Sequence, residues 1–99
     1  MTKRVQEVVV EFYHNNQARS GNLKSVRTNE RLELIHFDTV IAYMEDHNIH
    51  INSEWYSNTT SRYTNHLKRL CQKNDTSYDE FSGTLSYNVT YYEMGTILS

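Results

Sequence analysis

Between Leu32 and Lys73 the hydrophobic spacing changes period, and the change marks the elements. Ile35, Phe37, Ile41 and Tyr43 fall on one side of a period-two alternation, with His36, Asp38 and Ala42 on the other, which predicts one long strand. The polar cluster Glu45-Asp46-His47-Asn48 interrupts it, and Ile49 and Ile51 resume it, as a hairpin would. Ser57-Asn58-Thr59 then supplies three N-cap candidates in a row. After them Tyr63, Leu67, Leu70 and Cys71 recur at helical spacing, so the block reads as strand, tight turn, short strand and capped amphipathic helix.

The flanks are read the same way. Val5, Val8, Val9 and Phe12 fit a helix face. However, the β-branched run Val8-Val9-Val10, and the alternation of Val8, Val10 and Phe12 with Val9, Glu11 and Tyr13, favour a strand over about residues 4–13. His14 to Asn22, with Gly21 near its end, reads as an exposed loop. Leu23 to Thr28 reads as a short strand carrying Lys24 and Arg27, and Thr28-Asn29-Glu30-Arg31 as a turn. Downstream, Asn74-Asp75-Thr76-Ser77 ends the helix, with Asn74 suited to a left-handed terminal residue. Tyr78 to Phe81 reads as a loop or a single turn. Gly83 then opens a final strand with Leu85, Tyr87, Val89 and Tyr91 on one face, and Ile97 and Leu98 pair at an edge. The expected order is β-β-β-β-α-β: a single α+β domain over residues 1–99, with a small antiparallel sheet and one amphipathic helix.

Composition sharpens this picture in two places. The hydrophobic fraction is 37%, so the core is lean, and eight tyrosines supply much of the apolar area. Net charge is −2, too small for the whole molecule to steer nucleic acid, but the charge is strongly blocked. Residues 1–31 sum to +3, residues 32–56 to −5, residues 57–74 to +4 and residues 75–99 to −4. The helix is therefore the one basic element between acidic neighbours. One cysteine excludes an internal disulfide, and no apolar run approaches the roughly 18 residues of a membrane span. With no signal-peptide core at the start, the expectation is a cytoplasmic protein, for which the glycosylation triplets at Asn58, Asn74 and Asn88 carry no meaning.

Four groups of residues are candidates for chemistry. Arg62, His66, Arg69 and Lys73 lie at i, i+4, i+7 and i+11, a basic stripe opposite the apolar one, with Asn65 and Lys68 at its margin. Such a stripe grips phosphates or an acidic partner surface, and it is also what a solvated helix face looks like when its bases suit the negative end of the helix dipole. Trp55-Tyr56, just before the helix, fits either an interface anchor or a roof over the sheet–helix junction. His47, His50, His66 and Cys71 lack the paired spacing of a metal site, so no metal and no cofactor is expected, and Cys71 on the apolar face reads as an inert thiol. Glu45-Asp46 and Asp79-Glu80 are adjacent acids in predicted turns, with no partner to split their pKa values. No glycine-rich phosphate loop occurs, and no activated nucleophile or acid–base pair is evident, so no catalytic residue is expected.

The block from Leu34 to Leu70 resembles a family of small uncharacterised proteins from bacterial viruses and mobile elements. The residues that carry the likeness are the strand Phe37-Asp38-Thr39-Val40-Ile41-Ala42, the returning Ile49-His50-Ile51, and Tyr56-Ser57-Asn58-Thr59-Thr60-Ser61 leading into a helix with His66 and Leu67. The resemblance implies a phage-borne accessory protein acting in the host cytoplasm by binding a host factor or defence system. The leading expectation is thus a non-enzymatic protein that inhibits or redirects a host protein or protein–nucleic-acid complex, an anti-CRISPR or other anti-defence inhibitor. Arg62, His66, Arg69, Lys73, Trp55 and Tyr56 would make the contacts. The alternative is a nucleic-acid-binding module using the basic helix face. A final strand bearing Tyr87, Tyr91 and Tyr92 would also offer an edge for homodimer pairing.

Overall fold

Helix α1 (Val5–Tyr13) opens the chain, where the alternation predicts a strand. The computed structural model describes residues 4–54 and 57–82. In α1, Val8, Val9 and Phe12 are fully buried, whereas Val10 is only half-buried, so the spacing i, i+1, i+4 is the one the core selects. Three β-branched residues cost a helix about 0.5 kcal/mol each against alanine, while burying each large apolar side chain stabilises by about 1.5–3 kcal/mol. Burial wins, and the local β preference is overridden. The Glu7 carboxylate accepts from the Arg4 backbone N–H at 3.3 Å at the start. At the far end Asn15 turns left-handed (φ 67°), and the amides of Asn15 and Asn16 close a Schellman motif on Phe12 and Glu11.

Next come five antiparallel strands: β1 (Ala18–Ser20), β2 (Leu23–Arg27), β3 (Leu32–His36), β4 (Thr39–Glu45) and β5 (Asn48–Asn52). β1 lies inside the segment expected to be loop, joined to β2 through the tight turn at Gly21-Asn22. The expected long strand is two strands, because Phe37, at φ 59°, reverses the chain and His36 pairs with Thr39. A register shift beside Leu34 and Ile35 leaves Ile41 as a bulge, which carries both Ile41 and Ala42 into the core. Turn and bulge together break the single alternation on which the long strand rests. The β4–β5 hairpin falls where expected, with Asp46 and His47 both left-handed.

Helix α2 (Asn58–Lys73) follows, and β6 (Tyr78–Phe81) then lies parallel to β5. The sheet is therefore mixed, in the order β1-β2-β3-β4-β5-β6, with two helices rather than one. Tyr78–Phe81 is a strand and not a turn because α2 crosses over from β5, the connection parallel pairing requires. Of the three N-cap candidates it is Ser57 that caps α2, its hydroxyl accepting from Thr60 N–H at 3.1 Å. The end differs from expectation: Asn74 has φ −105°, and Asp75 is the left-handed residue (φ 58°) that closes the Schellman motif with Thr76. Gly83 onward, including the expected final strand, its tyrosine edge and the Ile97-Leu98 pairing, lies outside the described residues.

Both helices pack on one face of the sheet. Leu23, Leu32, Leu34, Ala42, Met44, Ile49 and Ile51 meet Val8, Val9 and Phe12 of α1 and Leu67 and Cys71 of α2 in one cluster. The buried stripe of α2 is Thr60, Thr64, Leu67 and Cys71, with Tyr63 and Leu70 half-buried, so two threonines take positions that the apolar spacing gives to larger residues. The Thr64 hydroxyl is satisfied by the Ser61 carbonyl at 3.2 Å. Tyr13 Oη and Thr76 Oγ1, 2.7 Å apart, tie the ends of the helices together. No helix of the described residues is long and apolar enough to cross a membrane.

Since α2 hangs on its cap, Ser57→Ala should lower unfolding free energy by about 1 kcal/mol, with Ser57→Gly costing only a few tenths, read from urea denaturation followed by circular dichroism.

Candidate functional site

The α2 stripe emerges on the surface. Arg62, Arg69 and Lys73 are exposed, and none of them makes an ion pair among the described residues. From Arg62 to Lys73 is 11 residue steps of helix, about 16 Å at the α-helical rise. His66 is half-buried between them, and its pKa is lowered first by burial and then by the Arg69 charge, so it adds a neutral donor–acceptor rather than a cation. Lys68 leaves the group: it turns to the sheet and meets Glu80 of β6 at 3.1 Å. Trp55 and Tyr56 lie outside the described residues.

The remaining candidates are pulled apart. Asp79 and Glu80 occupy a strand, so they point to opposite faces of β6, Glu80 toward Lys68 and Asp79 toward His50 Nδ1 at 3.9 Å. His47 sits exposed in its turn while His50 stacks on Tyr43 (centroids 4.6 Å, 16°). Cys71 is buried in the core, which pushes its thiol pKa up. Among the described residues no three His, Cys, Asp or Glu side chains gather as a metal site would require.

Two arrangements were not visible in the spacing. The first lies on the sheet face turned away from the helices, where pairing sets Glu33, Tyr43, His50 and Asp79 in one row across β3 to β6. Glu33 is 0% exposed and accepts from Arg31 Nε at 2.9 Å, while the Arg31 guanidinium lies 4.1 Å over the Tyr43 ring. Burial raises the Glu33 pKa, and the Arg31 hydrogen bond and charge oppose the rise without cancelling it. Arg31 Nη2 and Glu33 Oε1 are buried without a hydrogen bond among the described residues, so the pair is half satisfied. It orders the sheet rather than offering reactive groups to solvent. Arg31-x-Glu33 becomes a same-face pair only once β3 is known to start at Leu32; read as a turn residue, Arg31 gives no signal.

The second joins sheet to helix. His36 Nδ1 and the Thr60 hydroxyl are 2.9 Å apart, and the His36 ring meets Tyr63 edge-on at 5.2 Å. Burial lowers the His36 pKa. The buried neutral imidazole therefore holds the first turn of α2 against β3.

Removing one member of the Arg31–Glu33 pair should cost about 3–5 kcal/mol, whereas Arg31→Met combined with Glu33→Leu should be neutral or stabilising, as chemical denaturation would read. In Arg31→Met alone the loss should be smaller at about pH 5 than at about pH 8. There the raised carboxyl takes up a proton that the unfolded chain does not hold, so its stability contribution fades as pH rises. For His36 the sign is opposite. Its folded pKa lies below the unfolded value of 6.5, so the folded state loses stability as pH falls through that value toward the folded pKa. His66 acts in the same sense, so His36→Gln should shallow, not abolish, the decline of melting temperature below about pH 6.5.

The chain matches no protein-family model, no curated protein and no solved structure.

Proposed function

We propose that this chain is a non-enzymatic binding protein that inhibits or redirects a host macromolecule, and that the outer face of α2 is its working surface. The supporting observation is the display of Arg62, Arg69 and Lys73: three exposed cations without ion pairs among the described residues, on a helix whose opposite side is buried. Their backbone positions are fixed by the Ser57 cap and by the seat of Leu67 and Cys71, so the charges are preorganised and binding orders only the side-chain ends. An acidic patch on a host protein is the complementary partner, and electrostatic complementarity of this kind speeds and orients docking. Trp55 and Tyr56, next to the cap in sequence, would add aromatic anchors. The resemblance of the Leu34–Leu70 block to phage and mobile-element proteins gives the context, an anti-CRISPR or other anti-defence inhibitor.

A second reading has one specific support. Residues 57–74 carry four bases and no acid, so nothing on α2 itself repels a phosphate backbone. Nucleic acid would then be the ligand.

Salt and charge reversal separate the two. With a protein target, tagged wild type should retain one specific host protein that Arg62→Glu/Arg69→Glu/Lys73→Glu does not, and a labelled duplex should stay unbound at low salt. Measurable duplex affinity falling with a log–log salt slope of about −3, and a slope near zero in the triple variant, would instead establish the nucleic-acid reading. Equal retention of the protein by wild type and triple variant would rule out α2 as the surface.

A further inference from the structure

Two apolar side chains are buried on the side of the sheet that carries no helix. Ile35 of β3 and Val40 of β4 are cross-strand partners and 0% exposed, yet neither joins the cluster that the helices cover. Glu33, two residues along β3 from Ile35 and so on the same face, is equally buried, and Arg31 is 5% exposed. Strand side chains stand roughly perpendicular to the sheet, so neighbours within it screen their flanks and leave their tips to whatever lies above. Full burial therefore calls for a further layer over β3 and β4.

Among the described residues no element supplies that layer. Both helices lie on the other face, and the longest fully described connections, 14–17, 28–31 and 74–77, are taken up in joining the elements at their ends. The buried row from Arg31 to Ile35 is about 13 Å long at the strand rise. Trp55 and Tyr56, two residues held between Glu54 and the Ser57 cap, are too few to roof all of it. After Ser82 the sequence continues for 17 residues, 83–99, which reach about 55 Å when extended, against about 24 Å across six strands. They carry one charge, Glu93, and the alternating apolar column Leu85, Tyr87, Val89 and Tyr91. The chain also arrives on the right side. Phe81 shares the outer face with Asp79, its ring 5.4 Å from that of Tyr43, and the Ser82 hydroxyl donates to Glu54 Oε1 at 3.2 Å beside the end of β5.

We infer that the outer sheet face is a docking surface for the chain's own residues 83–99, a strap that closes over Ile35, Val40 and Tyr43. The same layer accounts for the dryness of the Arg31–Glu33 pair, which an open sheet face would leave to water. It also withdraws an apolar sheet surface from other chains, since exposed patches of that kind invite association. The inference uses none of the α2 cations, so it stands or falls apart from the binding surface proposed above.

Two measurements on the full chain test it. With Tyr43 replaced by p-benzoylphenylalanine, irradiation should join position 43 to a peptide within 83–99 of the same chain, at a yield independent of dilution, as mass spectrometry would read. Cross-links confined to other peptides would overturn the assignment, and so would cross-links formed only between two copies, which would make a second copy the occupant. Where the bulkier aromatic prevents folding, thiol labelling decides. In Ile35→Cys the new thiol should resist a water-soluble disulfide reagent as the buried Cys71 does. Adding Leu85→Ser/Tyr87→Ser/Val89→Ser/Tyr91→Ser should speed labelling at position 35 by about tenfold or more while Cys71, in the core on the helix side, stays protected. Unchanged labelling at position 35 would overturn the strap, and an equal rise at Cys71 would do so too, because it would report loss of the whole fold rather than uncovering of one face.

Discussion

Two helices share one apolar sheet face, and the lean hydrophobic complement of the chain makes that sharing necessary. Leu32, Leu34, Met44, Ile49 and Ile51 form a surface that neither helix could cover alone. α1 takes the β1–β3 side with Val8, Val9 and Phe12, α2 takes the β4–β5 side with Leu67 and Cys71, and the helices also meet each other. What each helix shows to solvent is then fixed by what it buries. Once Thr60, Thr64, Leu67 and Cys71 point inward, Arg62, Arg69 and Lys73 have only the outside left. The basic face is thus a geometric consequence of the seat.

The opposite sheet face follows a different rule. There Ile35 and Val40 are fully buried beside an ion pair, and Arg31 with Glu33 supplies polarity where an apolar pair would pack at smaller desolvation cost. What the pair gives in exchange is register. A slip of one residue between β3 and β4 would turn Glu33 toward the leucines of the helix side and carry Tyr43 away from the guanidinium. The Tyr43–His50 stack extends the same constraint to β5, so strand alignment is reinforced across three strands by groups that contribute little to bulk hydrophobic burial.

Much of this was legible along the chain, and the misreadings share a cause. The Ser57 cap, the α2 stripe, the β4–β5 turn and the strand at Leu23 announce themselves through local chemistry. The first helix does not, because its valines favour a strand locally and only tertiary burial decides otherwise. The break at Phe37 was hidden because the commonest signal for such a turn is glycine or asparagine, and phenylalanine stands there instead. β6 was hidden because its partner is β5, far away in sequence, and a short run such as Tyr-Asp-Glu-Phe carries no period of its own. Of the candidate residues, the charges on α2 could be read from spacing, whereas Glu33, Tyr43, His50 and Asp79 line up only through strand register.

The parallel placement of β6 bears on how the chain reaches this arrangement. β1 to β5 form a meander in which every strand pairs with its sequence neighbour, so each step closes a small loop. The β5–β6 ladder instead joins Ile49 to Tyr78, and it can close only after the intervening segment has wound into α2 and settled on the sheet. The longest loop closure of the sheet, and so its largest single closure cost, belongs to this docking event. The meander can zip early, while β5 keeps an open flank until the crossover arrives, which makes that flank the interval of greatest exposure to mispairing during folding.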